Sequence, residues 1–503
     1  VCYENISPDT FLFLRIMMLT LADPQLLRDA MYIAGDWQKP AACDLLQVKN
    51  PANDQVIASV PSGRRDDAKS AIEAARRALP GWSACTAKER SVTLRRWHDL
   101  IVDNVDDLAR ILTAEQGKPI VEARGEILFG AAFFEWFAEE AKRVYGETIP
   151  APTGDQRLIV LRQPIGVCTA ITPWNFPMAM IPRKAAPALA VGCTMVLKPA
   201  SATPLSALAL AELAHRAGIP PGVFNVVPGQ ASAVGDELVI NPAVRKVTFT
   251  GSTEVGSELM AKAAGSIKKV SLELGGNAPL LVFDDADLDT AVSGALASKF
   301  RNMGQTCVCA NRLYAQAGIY DDFVAALGEA VGKLHVGDGS QEDVEQGPLI
   351  DEEAVRKTEE HLQDAVDLGA QIVVGGSRHK LGGTFFQPTV IANASTEMKV
   401  AREETFGPLA PVFKFDNEAE AIRLANQTEF GLASYFFTRD NARIWRVSEG
   451  LEFGIVAVNT GIFSYEGAPF GGWKASGIGR EGSHLGIDEF LETKYVCIAG
   501  VSQ

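Results

Sequence analysis

The chain is expected to fold as an α/β protein, with a doubly wound parallel sheet followed by a second α/β unit. Three observations predict this. Between residues 166 and 276 short apolar, β-rich runs alternate with helical stretches, as in parallel strands joined by crossover helices. A second stretch of the same kind runs from about residue 277 to 477. The 503 residues, 47% of them hydrophobic, suffice for two to four domains with sizeable cores.

Taken in order, residues 1–22 are expected to be an unfolded extension, with the conventional start at Met17 or Met18. Residues 1–16 lack the basic n-region and small-residue cleavage site of a secretory signal. The first unit is expected over 23–148 and 163–275. In it, 194–197 reads as a strand. Thr203 is expected to cap the next helix, with Pro204 in its first turn and Gly218, Pro220 and Pro221 stopping it. Residues 224–227 and 246–250 are the following strands, and Gly251 opens onto another helix. The second unit is expected over 276–477. Its first helix has Asp285, Asp287 and Asp289 near the positive end, and Leu288, Val292, Leu296 and Phe300 form a core stripe. Arg301 follows directly, placed to carry positive charge toward Cys307. Residues 157–162 and 494–498 are edge-strand candidates. No run reaches the ~18 apolar residues that span a membrane.

The formal net charge of -15 disfavours nucleic acid or an anionic membrane as partner. Eight cysteines spread along the chain form neither a disulfide framework nor a zinc pattern, so no metal is expected. A reducing compartment, the cytoplasm, is expected.

Chemistry concentrates at Cys307, in Gly304-Gln305-Thr306-Cys307-Val308-Cys309, and at Glu273, in Leu272-Glu273-Leu274-Gly275-Gly276. A thiol and a carboxylate in glycine-bearing turns suggest a covalent enzyme. A cysteine of ordinary pKa, about 8.5, is only a few per cent thiolate at neutral pH, so its surroundings must activate it. None of the six histidines lies in a motif-like setting, which disfavours a thiol hydrolase. Each residue also has a plain alternative: Cys307 as an inert buried thiol, Glu273 as a surface strand-end carboxylate. Cys309 is a candidate redox partner of Cys307, opposed by the strain of so tight a loop. Gly251-Ser252-Thr253-Glu254-Val255-Gly256 lies at a strand-to-helix turn, where free N–H groups and the helix dipole favour a phosphate. Ser257-Glu258 excludes a Walker A loop. Lys198 ends a strand, where an open α/β sheet presents ligand contacts.

Together with Ile171-Thr172-Pro173-Trp174-Asn175-Phe176-Pro177, Val196-Leu197-Lys198-Pro199-Ala200-Ser201, Glu403-Glu404-Thr405-Phe406-Gly407-Pro408 and Pro469-Phe470-Gly471-Gly472, these runs resemble the aldehyde dehydrogenase superfamily from about residue 50 to 495. Within it they are most similar to the succinate-semialdehyde dehydrogenases. The resemblance implies a small β flap, 149–162 with 485–503, that joins subunits into a homodimer or homotetramer. It also implies a dinucleotide held by Thr172, Trp174, Lys198, Ser201, Gly229, Gly251, Ser252, Leu274, Glu404 and Phe406. Many NAD-preferring relatives have glutamate where this chain has Ser201. Its absence removes repulsion of a 2′-phosphate, so NADP is expected to be accepted and preferred over NAD, unless the serine merely enlarges the pocket.

The implied chemistry is attack by Cys307 on an aldehyde, oxyanion stabilisation by Asn175 and the Cys307 N–H, and thioester hydrolysis with Glu273 as general base. Asn175 could alternatively cap a nearby helix. Arg183 and Arg301 are guanidinium forks suited to the far carboxylate of an ω-oxo acid, with Ser464 at the matching subfamily position. Succinate semialdehyde is the expected substrate. Glutarate or 2-oxoglutarate semialdehyde, a broad range of aldehydes, and a non-catalytic redox or ligand-binding module are the alternatives.

Overall fold

A computed structural model describes residues 19–40 and 44–501. Met17, Met18, Cys2 and Cys43 lie outside the described residues. The end of the expected extension, residues 19–22, is packed rather than unfolded. Leu21 is buried, and the Asp107 carboxylate accepts the N–H groups of Ala22 (2.9 Å) and Asp23 (2.7 Å). Those backbone donors find a protein acceptor that a free chain end lacks.

The first sheet orders its strands Asp36–Gln38, Met31–Ile33, Phe224–Val226, Thr194–Lys198, Val167–Ile171, Val244–Thr250, Lys269–Glu273 and Gly477–Ile478. The middle five are parallel. From Val167–Ile171 the chain first builds outward on one side, then returns to place Val244–Thr250 on the other. These neighbours therefore flank a topological switch point, where a crevice opens at the carboxyl ends of the strands. Gly477–Ile478 comes back to pair antiparallel with Leu272 and Glu273. Only glycine fits there: φ is +143° and a Cβ would lie 2.0 Å from the Leu272 carbonyl oxygen.

One expected cap is corrected. The helix Leu205–Ala217 has Pro204 at its N-cap, and the Thr203 hydroxyl faces the Trp174 carbonyl at 3.5 Å. The cap comes from far away in sequence: the buried carboxylate of Glu115 accepts Leu205 N–H (2.7 Å), Ser206 N–H (2.8 Å) and the Ser206 hydroxyl (2.5 Å). Gly218 does end this helix, in the left-handed conformation.

The second sheet orders Gln371–Val374, Thr389–Ala394, Leu409–Phe415, Ala310–Gln316, Ala278–Val282, Ala433–Phe437 and Ile455–Val458, parallel except for the first strand. Its first helix, Leu288–Lys299, is capped by Asp287, which accepts Thr290 N–H at 3.0 Å. Asp285 instead pairs with Arg443 at 2.5 Å. Val292 and Phe300 are buried in the core of this unit, with Leu288 and Leu296 packed against it. A third, three-stranded sheet joins Glu147–Ile149, Gln156–Pro164 and Leu491–Ala499.

Three loops enter adjacent strands of the second sheet at their amino ends: 274–277, 305–309 and 403–408. Asn311 ties them together. Its side-chain N–H groups donate to Asn277 Oδ1 (2.8 Å) and the Glu403 carbonyl (2.9 Å), and its Oδ1 accepts Thr405 N–H (3.3 Å). Among the described residues no helix is long and apolar enough to cross a membrane, and no three His, Cys, Asp or Glu side chains group to hold a metal.

Candidate active site

A cavity of about 580 Å³ opens between the carboxyl ends of the first sheet and the amino ends of the second. Trp174, Asn175, Arg183, Gly251, Ser252, Leu274, Arg301, Cys307, Glu404, Phe406 and Ser464 line it. Thr172, Lys198, Ser201, Gly229, Glu273 and Cys309 do not form its wall. No histidine lines it.

Cys307 keeps partial exposure on this wall, yet its thiol is pushed up to about 12, by burial first and then by the negative field of Glu404, with Arg183 and Arg301 acting the other way. The resting sulfur is therefore a neutral thiol. The chain approaches it through a left-handed turn: Asn302 (φ 50°), Met303 (φ 55°) and Gly304 (φ 75°) are consecutive. Each non-glycine residue in that conformation costs about 1–2 kcal/mol, so the turn needs compensation. At Gly304 a Cβ would also lie 2.2 Å from the Gly407 carbonyl oxygen. Hydrogen bonds hold the turn: Asn302 N–H donates to Glu122 Oε2 (2.9 Å) and Gln305 N–H to the Asn302 carbonyl (2.9 Å). Cys307 and Cys309 are both free thiols, and the Cys309 sulfur lies 3.3 Å from Lys299 Nζ.

Asn175 does not cap a helix. The next helix, Pro182–Val191, has Ile181 at its N-cap. Asn175 Nδ2 instead donates one N–H to the Gln305 carbonyl at 3.0 Å, two residues before the thiol. Its main-chain carbonyl accepts Lys118 Nζ at 2.8 Å. Lys118 is fully buried and pairs with Glu126 at 2.6 Å, whose other oxygen accepts the N–H groups of Met178 and Ala179, each at 3.0 Å. The ion pair thus holds both ends of the segment that carries Asn175.

Glu273 is a buried strand-end carboxyl rather than a surface one, and its Oε2 has no hydrogen-bond partner. Burial and then the nearby Glu481 charge hold it well above the usual carboxylate range. Glu481 itself is held low by Lys184 and Arg183 against its own burial, so it is the ionised member of the pair. Its contacts are Lys184 Nζ at very short range and Arg183 Nε at 3.0 Å. Geometrically the Arg183 contact is an ion pair but not a hydrogen bond, because Arg183 Nε and Nη2 remain without acceptors.

At the switch point, Lys198 ends its strand, is 5% exposed and, among the described residues, donates only to the Pro199 carbonyl (3.3 Å). Burial lowers it to about 8. A buried cation without an anion is costly, and a phosphate would relieve it. The Ser201 hydroxyl donates to the Gly229 carbonyl at 3.2 Å. Ser252 is the N-cap of the helix Thr253–Ala264, and the hydroxyls of Thr172 and Thr250 are buried without partners. Toward the second sheet, burial pushes Glu404 up to about 7 while its Oε1 accepts Gly276 N–H at 3.2 Å. Phe406 (φ 56°) meets Trp174 edge-to-face at 5.6 Å. Unspent donors, an unpaired cation and a helix N-terminus fit a dinucleotide phosphate chain.

At the opposite end, Arg301 lies over the Phe176 ring at 5.5 Å and has no ion pair among the described residues. Arg183, 3% exposed, stacks on Phe470 at 3.9 Å. Ser464 completes this wall.

Lys118, Glu126, Lys184, Glu481 and Asn302 escaped the sequence reading, because Lys118 and Glu126 pair at a separation of eight residues that no helical or strand spacing marks, and the remaining contacts reach far along the chain. A lysine directly after Gly117 and before Pro119 was the one visible sign of a constrained charge.

The aldehyde dehydrogenase family profile matches residues 37–496. The NADP-dependent succinate-semialdehyde dehydrogenase of Escherichia coli is 62% identical over 95% of this chain and all of its own length. The glutarate-semialdehyde dehydrogenase of Pseudomonas aeruginosa is 61% identical over 96% of this chain and all of its own length. The crystal structure of an E. coli NADP-dependent enzyme superposes with a TM-score of 0.95 at 62% identity, covering 95% of this chain and all of that one.

Proposed function

The chain belongs to the aldehyde dehydrogenase family, and on that premise we propose that it oxidises succinate semialdehyde to succinate, with NADP preferred over NAD. The observation that carries the substrate is Arg301, a guanidinium on the cavity wall without an ion pair among the described residues. Its bidentate geometry suits a carboxylate, with Arg183 and Ser464 on the same wall.

Cys307 bonds through sulfur to the aldehyde carbon, and the thiol proton leaves to solvent. The second N–H of Asn175, left over after Gln305, and the Cys307 N–H stabilise the oxyanion. Losing one such donor costs about 3–4 kcal/mol. When bound, the dinucleotide supplies the hydride acceptor; Lys198, Ser252 and the hydroxyls of Thr172 and Thr250 would hold its adenosine and phosphate half, and Glu404 with Phe406 the other. Glu273 in its carboxylate form, which grows as pH rises because the group is held above the usual range, then takes a proton from the water that cleaves the Cys307 thioester, giving the free acid. Because Glu273 does not line the cavity, this needs its side chain to turn toward it. The loss of a glutamate at Ser201 supports NADP. The cytoplasm is the compartment, and the exposed three-stranded sheet pairs subunits into a dimer or tetramer.

Glutarate semialdehyde is the second reading, favoured by the name of the P. aeruginosa relative. One methylene separates the substrates by only about 1–3 kcal/mol. Initial rates of NADPH and NADH formation decide, with both semialdehydes and propanal, for the wild type, Cys307→Ala and Arg301→Ala. Expected are the highest kcat/KM for succinate semialdehyde with NADP, no activity in Cys307→Ala, and at least about 100-fold lower kcat/KM for the acid aldehyde in Arg301→Ala. Equal performance of propanal would refute carboxylate recognition.

A further inference from the structure

We propose that Asn302 is a positioning residue for this reaction, fixing the amide of Asn175 against the Cys307 loop through a lattice of three carboxamides. This rests on the reading of Asn175 as oxyanion donor and Cys307 as nucleophile. Asn302 does not line the cavity, and it is 0% exposed. Its side chain spends both donors on the two segments that must meet: Nδ2 donates to the Asn175 carbonyl (3.0 Å) and to the Gln305 carbonyl (3.2 Å). The same Gln305 carbonyl accepts Asn175 Nδ2 at 3.0 Å. Asn302 therefore clamps the first α/β unit, which carries Asn175, to the loop of the second, which carries the thiol.

The orientation of the clamp is fixed as well. Gln116 Nε2 donates to Asn302 Oδ1 at 3.0 Å, so a flipped amide would set donor against donor. The left-handed turn is what delivers this side chain between the two carbonyls, and asparagine tolerates that backbone better than most side-chain-bearing residues. With Asn302 and Lys118 holding the Asn175 main chain from two sides, one Asn175 N–H is spent on Gln305 and the other is left for the cavity.

Steady-state kinetics on Asn302→Gly, Asn302→Asp, Asn175→Ala and the double variant Asn302→Gly/Asn175→Ala test the role. Glycine keeps the left-handed backbone and deletes the clamp. Aspartate keeps the acceptor for Gln116 and turns an oxygen toward the two carbonyls. Each single variant is expected to lower kcat about 10- to 100-fold, the loss that follows from misplacing reacting groups by roughly 1 Å, with KM for NADP within about twofold. The double variant is expected to be no slower than Asn175→Ala within about twofold, because Asn302 acts through Asn175. Multiplied losses in the double variant, or an Asn302→Gly kcat within about twofold of wild type beside an impaired Asn175→Ala, would overturn the positioning role alone. Full activity in Asn175→Ala would instead overturn the donor reading beneath it. Quenching of Trp174 fluorescence by NADP reports folding. Should the Asn302 variants fail it, Gln116→Met removes the orienting bond together with the acceptor of Lys118 N–H (3.0 Å). It is expected to give a smaller kcat loss that vanishes on the Asn175→Ala background, and persistence there would count against the proposal.

Discussion

At the scale of single residues, the resting thiol is the decisive fact. With Cys307 pushed up to about 12, the thiolate is on the order of one part in ten thousand at pH 8. Inactivation of the cofactor-free protein by iodoacetamide, with alkylation mapped to Cys307, should therefore keep rising about tenfold per pH unit from pH 7 to 10. A plateau near pH 8.5 would mean that the sulfur is not held in this way. That Cys307, Asn175 and the arginines belong together was legible in the sequence because each sits in a recognisable run of neighbours, and they share the cavity wall, whereas Glu273 does not line it. Their protonation states were not, since these depend on burial and on charges such as Glu404 and Glu481 that are far off in the chain. The sequence reading also treated Arg183 and Arg301 as equals. Glu481 separates them, pairing with one and leaving the other without an ion pair among the described residues.

At the scale of elements, strands and helices were legible because apolar periodicity is a local signal, but the way they begin was not. Thr203-Pro204 has the look of a helix start, yet the carboxylate of Glu115 does the capping. No spacing rule links positions so far apart. Replacing Glu115 with alanine leaves two buried N–H groups unpartnered, and a loss of about 1–3 kcal/mol for each is expected in denaturant unfolding. Burial raises the Glu115 carboxyl from 4.5 to about 8 in the folded chain. The folded state thus holds this proton more tightly than the unfolded state does. The associated stability is complete below pH 4.5 and is lost as pH rises through about 8. Between pH 5 and 9 the wild type should lose thermal stability relative to Glu115→Gln, and the opposite trend would exclude this linkage.

At the scale of the whole molecule, the doubly wound first sheet and the second α/β unit were foreseeable from their alternating elements. The joining of Gly477–Ile478 to the first sheet was not, because a two-residue strand carries no periodicity. The three-stranded sheet leaves Leu161 and Ile498 each 41% exposed on a surface that a partner would cover. Light scattering coupled to gel filtration should give a dimer or tetramer for the wild type and a smaller species for Leu161→Asp/Ile498→Asp; a monomeric wild type would end the assembly proposal.

The cavity is bounded by the carboxyl ends of one sheet and the amino ends of another, and the clamp at Asn302 bridges the two. On the proposed chemistry neither half holds a complete centre by itself. During synthesis the amide of Asn175 emerges long before the thiol it must face, so the growing chain carries an unarmed half-site until the second unit docks. Competence is then conferred by that docking, and a chain truncated before Cys307 would have spent most of its helices and strands on a scaffold with no reaction to perform.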